Sequence, residues 1–132
     1  MPARIVIVHD EPEFVNHVSD ALRLAGHEVA AFADPMAALD ALDAAQHVEV
    51  LVTRVQFAPG KPNGISLVRM ARVKRPGIRV LFAALPEFEV HAAPFGEFVP
   101  LPARVPDVVE AITGLLKSEP RNPTDAKKLA ST

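Results

Sequence analysis

The chain contains no cysteine, no tryptophan and no tyrosine. Without cysteine it can form neither disulfide bonds nor thiolate metal sites. Without tryptophan and tyrosine, only its seven phenylalanines could stack on nucleobases or sugars. No apolar run approaches the roughly 20 residues of a membrane-spanning helix, and a net charge of −2 gives no sign of a nucleic-acid or membrane partner. We therefore expect neither a nucleic-acid partner nor a membrane partner.

The composition that remains is that of an ordinary globular domain. Of the 132 residues, 49% are hydrophobic and 23% are charged, which is enough apolar material for one core. A strand begins almost at the first residue and leaves no room for a signal peptide ahead of the fold, so we expect a cytoplasmic protein. We place the domain at residues 1–117. Residues 118–132 are polar and contain proline, and they are predicted to be a disordered tail.

Five short runs rich in β-branched residues alternate with helical patterns along the chain. The predicted strands are Ala3–Val8, Glu28–Phe32, Val48–Thr53, Ile78–Phe82 and Glu97–Pro100. The segment between the last two strands carries Pro86 and Pro94, and it is predicted to hold at most a short or distorted helix. This alternation predicts an α/β fold: a flavodoxin-like, doubly wound, five-stranded parallel sheet in the order 2-1-3-4-5, with helices on both faces.

The third predicted strand lies at the centre of that sheet. It is apolar on both faces, with one face formed by Val48, Val50 and Val52 and the other by Leu51 and Thr53. Such a strand is typical of a parallel sheet that is covered on both sides. Binding and chemistry in these sheets lie just beyond the carboxyl ends of the central strands.

The residues that leave the strands at this edge therefore carry the functional prediction. The first strand runs into His9, Asp10 and Glu11, and the third runs into Arg54. Because neighbouring parallel strands end at the same edge, we expect an ion pair between Asp10 and Arg54. We expect no metal there, since the fixed positive charge of Arg54 opposes a divalent cation. His9 is expected to be simply hydrogen-bonded.

Four sequence segments at the strand ends resemble a known family. They are VIVHDEPEF after the first strand, LVTR…PG…NGISL around the third, RPGIRVLFAA for the fourth and FVPLP after the fifth. In this order and at this spacing, they resemble the response-regulator receiver domain of two-component signalling. The resemblance covers about residues 3–117.

The resemblance implies a phosphorylation site, and four of its five positions are changed here. In the family, two acids after the first strand bind Mg²⁺, an Asp after the third is the phosphoacceptor, and a hydroxyl and a Lys after the fourth and fifth bind the phosphoryl group. The matching residues of this sequence are His9-Asp10, Arg54, Ala83 and Leu101. Arginine stays charged and is not a nucleophile, alanine has no hydroxyl, and leucine has no charge. The resemblance thus implies a receiver fold with a degenerate phosphorylation site, and no cofactor.

Two functions of different classes follow from these residues. The first is a pseudo-receiver: a non-enzymatic signalling module that binds a protein partner without phosphorylation. Its partner would be a histidine kinase, another regulator or a second copy of itself. The expected interaction face contains Phe88, Phe95 and Phe98, of which Phe98 matches the aromatic residue that rotates in the family's switch. The alternative is a small anionic ligand bound in the former phosphorylation pocket by Arg54, His9 and Asp10.

Overall fold

A computed structural model describes residues 4–117, in which one five-stranded sheet lies between two layers of helices. Its strands are β1 (Arg4–Val8), β2 (Glu28–Phe32), β3 (Val50–Thr53), β4 (Arg79–Ala84) and β5 (Glu97–Pro100). Its helices are α1 (Pro12–Leu24), α2 (Pro35–Ala44), α3 (Gly64–Lys74), α4 (Glu89–Ala92) and α5 (Val105–Lys117). Within residues 4–117, no helix is both long and apolar enough to span a bilayer. The predicted tail, residues 118–132, lies outside the described part of the chain.

All five strands run parallel in the order β2-β1-β3-β4-β5, which confirms the predicted topology. β3 sits in the middle, with Ile5↔Val50 in register on one side and Val50↔Arg79 on the other. Every crossover passes through helical structure. The carboxyl ends of β1 and β3 are therefore neighbours at the centre of one edge, which is where the sequence places its polar residues.

Two apolar layers cover the sheet. One contains Val6, Val8, Leu51 and Phe82, together with residues of α2 and α3. The other contains Ile5, Ile7, Val50 and Val52, together with residues of α1 and α5. Alternate side chains of one strand thus enter opposite layers, as the pleat requires.

The prediction was wrong about where β3 begins and on which face Val48 lies. The strand starts at Val50 rather than Val48, and Val48 joins the layer of Leu51 instead of the layer of Val50. The ladder is irregular beside this point, since the Glu49 side chain rather than a backbone carbonyl accepts a hydrogen bond of 2.6 Å from the Arg4 backbone N–H. Alternation therefore does not continue backward from Val50 to Val48.

The segment between β4 and β5 is short, as predicted. A 3₁₀ turn at Pro86–Phe88 runs into the four-residue helix α4. Pro86 opens the turn and Pro94 follows α4, so a longer regular helix would lose backbone hydrogen bonds at both positions.

Candidate functional site

Backbone hydrogen bonds bring the ends of β1 and β3 together. The His9 N–H donates to the Phe32 carbonyl at 3.0 Å, and the Arg54 N–H donates to the Val8 carbonyl at 3.2 Å. Arg54 therefore leaves the sheet beside the point where β1 runs into His9 and Asp10. The prediction that these residues meet at one edge is confirmed.

Arg54 and Asp10 form the expected ion pair. The Arg54 Nη1 donates to the Asp10 Oδ1, and the two side chains are 22% and 40% exposed. The Arg54 Nε is buried and has no hydrogen-bond partner. The guanidinium is thus held by one carboxylate at the mouth of the site, with its stem inside the protein.

The backbone of Arg54 is fixed by Thr53 and Gly64, for which the sequence predicted no role at the site. The Thr53 Oγ1 donates to the Arg54 carbonyl at 2.9 Å. Gly64, the first residue of α3, lies so close that a Cβ there would overlap the Arg54 carbonyl oxygen and stand 2.8 Å from its carbon. The available signal was the Asn63-Gly64 pair: Asn63 caps α3 by accepting the Ser66 N–H at 2.8 Å.

His9 is buried rather than lining an open pocket. It is 1% exposed, and its ring stacks on Phe14 with the ring centroids 4.3 Å apart. Its Nδ1 accepts the Glu11 N–H at 3.2 Å, while its Nε2 is buried without a hydrogen bond of ordinary geometry. The expectation that His9 is simply hydrogen-bonded is therefore correct for one of its two nitrogens. Its stack on Phe14 was missed because the sequence does not show in which direction His9 points.

Burial, reinforced by the positive charge of Arg54, lowers the pKa of His9 to about 4. The Asp10 carboxylate and the Ala83 carbonyl act in the opposite direction but do not outweigh the burial. His9 is consequently a neutral aromatic ring at pH 7, and it adds no positive charge to the site.

We predict a loss of stability on acidification that depends on His9. Since the folded pKa is about 4 and the ordinary value is 6.5, the unfolded chain binds a proton between these pH values and the folded chain does not. Stability contributed by neutral His9 is complete above about pH 6.5 and falls as the pH drops toward 4, by on the order of 2–3 kcal/mol. Urea unfolding at pH 7 and pH 5 measures this difference.

The matched variants are His9→Leu and, at an exposed position of α1, His17→Leu. His9→Leu should show a clearly smaller loss between pH 7 and pH 5 than the wild type, and His17→Leu should behave like the wild type. An equal pH dependence in His9→Leu and wild type would contradict the burial of an uncharged His9.

Ala83 and Ala84 form the carboxyl end of β4, which continues two residues beyond the predicted end at Phe82, and both are buried. Leu101 does reach this edge, because its N–H donates to the Ala84 carbonyl at 2.8 Å. Its partly buried side chain packs with the α1 and α5 layer. The side chains of Ala83 and Leu101 thus contribute apolar contacts and no polar group to this edge of the sheet.

The phenylalanines of the predicted interaction face are partly covered. Phe88, Phe95 and Phe98 are half-buried and pack against the apolar layer of α2 and α3. The exposed apolar side chains near them are Leu85, 44% exposed, and Val90, 81% exposed. The short α4 therefore leaves aliphatic rather than aromatic surface in this region.

No family model matches the sequence, and no curated protein matches it. Solved structures do. The receiver domain of the hybrid histidine kinase CckA is 26% identical over 87% of this chain and 100% of its own, with a TM-score of 0.72. A CheY-like receiver domain protein from Methanospirillum hungatei JF-1 is 21% identical over 88% and 94%, with a TM-score of 0.76. A receiver protein from Sinorhizobium medicae WSM419 is 21% identical over 89% and 96%, with a TM-score of 0.78.

The fold is the receiver fold of two-component signalling. These structures match 87–89% of this chain with TM-scores of 0.72–0.78. On a receiver fold, the residues after β1 and β3 occupy the carboxyl edge at which this class of sheet places its site. In this receiver fold that edge is occupied by the Asp10–Arg54 ion pair.

Proposed function

We propose that this chain is a pseudo-receiver: a non-enzymatic signalling module that binds its protein partner without being phosphorylated. The observation that supports the proposal is the Arg54–Asp10 ion pair at the ends of β3 and β1. A guanidinium has no lone pair available for attack at neutral pH and does not deprotonate. An acyl phosphate cannot form on Arg54, and the nearest acid, Asp10, is already engaged by it.

The Mg²⁺ ion implied by the resemblance does not fit this site. Magnesium binds through carboxylates in near-octahedral geometry and keeps several waters. Here Asp10 accepts from Arg54, whose fixed charge repels a divalent ion at the same position. Among residues 4–117, no three His, Asp or Glu side chains are grouped so that they could hold a metal. No step of the proposed function passes through a metal.

We predict that Asp10→Asn destabilises the fold by about 1 kcal/mol. The half-buried Arg54 loses its charged partner, and the partial exposure of both side chains limits the effect. The matched control is Glu13→Gln, which removes an exposed carboxylate from the first turn of α1. Urea unfolding of both variants measures the difference.

Millimolar Mg²⁺ should leave the melting temperature of the wild type unchanged in the same buffers. A Mg²⁺-dependent rise in the wild type that Asp10→Asn abolishes would contradict the internal pairing of Asp10 and Arg54.

A small anion in the former pocket is the alternative function, and no specific contact favours it. One nitrogen of Arg54 is bound to Asp10, its Nε is buried, and His9 carries no charge at pH 7. The exposed carboxylates of Glu11 and Glu13 repel an anion at this edge. A thermal-shift titration with inorganic phosphate separates the two functions: we expect no shift at millimolar concentration.

The partner in this proposal is a protein of a signalling pathway: a histidine kinase, another regulator or a second copy of the chain. Receiver domains of two-component systems interact with such proteins, and the proposed contact surface lies between β4 and β5. There Leu85 and Val90 are exposed beside half-buried Phe88, Phe95 and Phe98.

Affinity capture from the source cell, with identification by mass spectrometry, tests this proposal. The captured partner should be recovered equally with and without acetyl phosphate and Mg²⁺. Val90→Asp should reduce the recovery, whereas Leu24→Asp, at an equally exposed apolar position at the end of α1, should not. Recovery that requires acetyl phosphate would contradict the proposal.

A further inference from the structure

The chain contains one asparagine that is followed by glycine, the Asn63-Gly64 pair at the start of α3. In such a pair the glycine backbone nitrogen can attack the asparagine side-chain amide, because no side chain on the glycine hinders the approach. Of the other two asparagines, Asn16 is followed by His17, and Asn122 is followed by a proline, which has no backbone N–H. Asn63 is also exposed to water. It is thus the asparagine of this chain most suited to spontaneous deamidation.

The reaction replaces the side-chain amide with an acid and needs only water and hydroxide. The Gly64 nitrogen loses its proton to hydroxide and forms a bond to the Asn63 Cγ. The bond from Cγ to Nδ2 then breaks, and Nδ2 takes up a proton from water and leaves as ammonia, which regenerates the hydroxide. Water opens the resulting succinimide ring at either of its carbonyls, which gives an aspartyl or an isoaspartyl residue.

Two hydrogen bonds of the folded chain oppose the attack. The Asn63 Oδ1 accepts the Ser66 N–H at 2.8 Å, which turns the side-chain amide toward the first turn of α3. The Gly64 N–H donates to the Val55 carbonyl at 2.7 Å, which keeps the proton on the attacking nitrogen. Deprotonation of Gly64 therefore first requires its hydrogen bond to Val55 to break.

The backbone of Asn63 is also held in a conformation that cannot close the ring. Its ψ is 169°, an extended value, whereas a five-membered ring needs the Gly64 nitrogen nearly eclipsed with the Asn63 Cβ. Rotation about the Asn63 Cα–C bond would carry Gly64 with it. Gly64 is buried and packed so closely that an added Cβ would overlap the Arg54 carbonyl oxygen. The start of α3 must therefore leave β3 before the ring can close.

We propose that Asn63 is a spontaneous deamidation site that the contact between α3 and Arg54 keeps closed in the folded chain. The site becomes reactive in those molecules in which the start of α3 has detached from the end of β3. Local openings of this kind cost less free energy than global unfolding. The proposal goes beyond the pseudo-receiver function and does not depend on it, since it concerns only the packing against the Arg54 backbone.

The two products differ in their effect on the candidate site. An aspartyl residue at position 63 keeps an oxygen that caps α3, and its negative charge is favourable at the amino end of a helix. An isoaspartyl residue instead adds the side-chain methylene to the main chain ahead of Gly64. Gly64 then cannot keep both its hydrogen bond to Val55 and its place against Arg54. The isoaspartyl product is therefore expected to loosen the end of β3.

Peptide mapping by mass spectrometry at pH 8 measures the rate of deamidation at Asn63 in the wild type. In concentrated urea, which unfolds the chain, we expect a rate at least ~100-fold higher than in native buffer, because the folded chain reacts only through its rare open molecules. Asn16 is the internal control and should be converted more slowly than Asn63 in urea, because the side chain of His17 hinders the attack. Rates at Asn63 that agree within a few-fold in the two conditions, or no conversion in urea, would overturn the proposal.

The stability of the two products provides a second readout. Asn63→Asp reproduces the aspartyl product and should unfold at the same urea concentration as the wild type or at a higher one. The isoaspartyl fraction of a urea-treated sample, separated by chromatography and refolded, should unfold at a lower concentration. An isoaspartyl fraction as stable as Asn63→Asp would overturn the proposal that the close packing of Gly64 keeps the site closed.

Discussion

Replacing Gly64 with alanine is expected to destabilise the fold by about 2–4 kcal/mol, although it adds only one methyl group. The added Cβ would overlap the Arg54 carbonyl oxygen and lie 3.2 Å from the Thr53 Oγ1. The neighbouring atoms are mostly backbone, so no rotamer change relieves the overlap, and either α3 or the end of β3 must shift. Overpacking of this kind is among the larger effects of single substitutions. Urea and thermal unfolding measure it.

Gly114→Ala is the matched control. Gly114 lies in α5, is exposed, and has no atom within 4 Å of the position of an added Cβ. Because alanine favours a helix interior over glycine, this variant should be more stable than the wild type by roughly 0.5–1 kcal/mol. If Gly64→Ala were as stable as Gly114→Ala, the close contact between α3 and Arg54 would not exist.

Restoring the phosphoacceptor alone, as Arg54→Asp, is expected to leave the chain essentially unphosphorylated. The new carboxylate lies beside Asp10, and their mutual repulsion favours a divalent ion, so weak Mg²⁺ binding is expected to appear. The phosphoryl oxygens still meet neither a hydroxyl at residue 83 nor an ammonium at residue 101. Electrostatic stabilisation of developing charge is usually the largest contribution to such a reaction. Labelling of Arg54→Asp should therefore remain orders of magnitude slower than labelling of a site that also has this hydroxyl and this ammonium.

Adding Ala83→Thr and Leu101→Lys to Arg54→Asp should raise the labelling with acetyl phosphate by about 100-fold or more, since each group supplies one missing contact. The triple variant must first be shown to unfold cooperatively, because Ala83 is fully buried. The double variant Ala83→Thr/Leu101→Lys, which keeps Arg54, is the control and should not be labelled. Rapid labelling of Arg54→Asp by itself would show that, among the departures from the family's phosphorylation site, only the one at residue 54 prevents phosphorylation.

The topology and the central ion pair were predictable from the sequence. β-branched runs alternating with helical patterns specify a parallel sheet, and parallel strands end at a common edge. From this alone Asp10 and Arg54 had to be neighbours, and the two side chains pair as expected. The short helix between β4 and β5 was equally predictable, because the effect of proline on backbone hydrogen bonding is local.

The depth of individual side chains was not predictable. His9 follows a strand, and nothing in its neighbours shows that it turns inward against Phe14. β4 runs two residues beyond its predicted end at Phe82 because it keeps its register with β5 up to Ala84↔Pro100, and this buries Ala83. The role of Gly64 depends on how closely α3 approaches β3. Each of these features is set by tertiary contacts between distant segments, which local patterns do not encode.

The most direct test of the central claim is the intact mass of the wild-type chain after incubation with acetyl phosphate and Mg²⁺. The reaction is run beside the triple variant Arg54→Asp/Ala83→Thr/Leu101→Lys as the positive control. We predict an unchanged wild-type mass under conditions that label the triple variant. A phosphate-sized increase in the wild type that maps to residues 9–11 or 54 would contradict it.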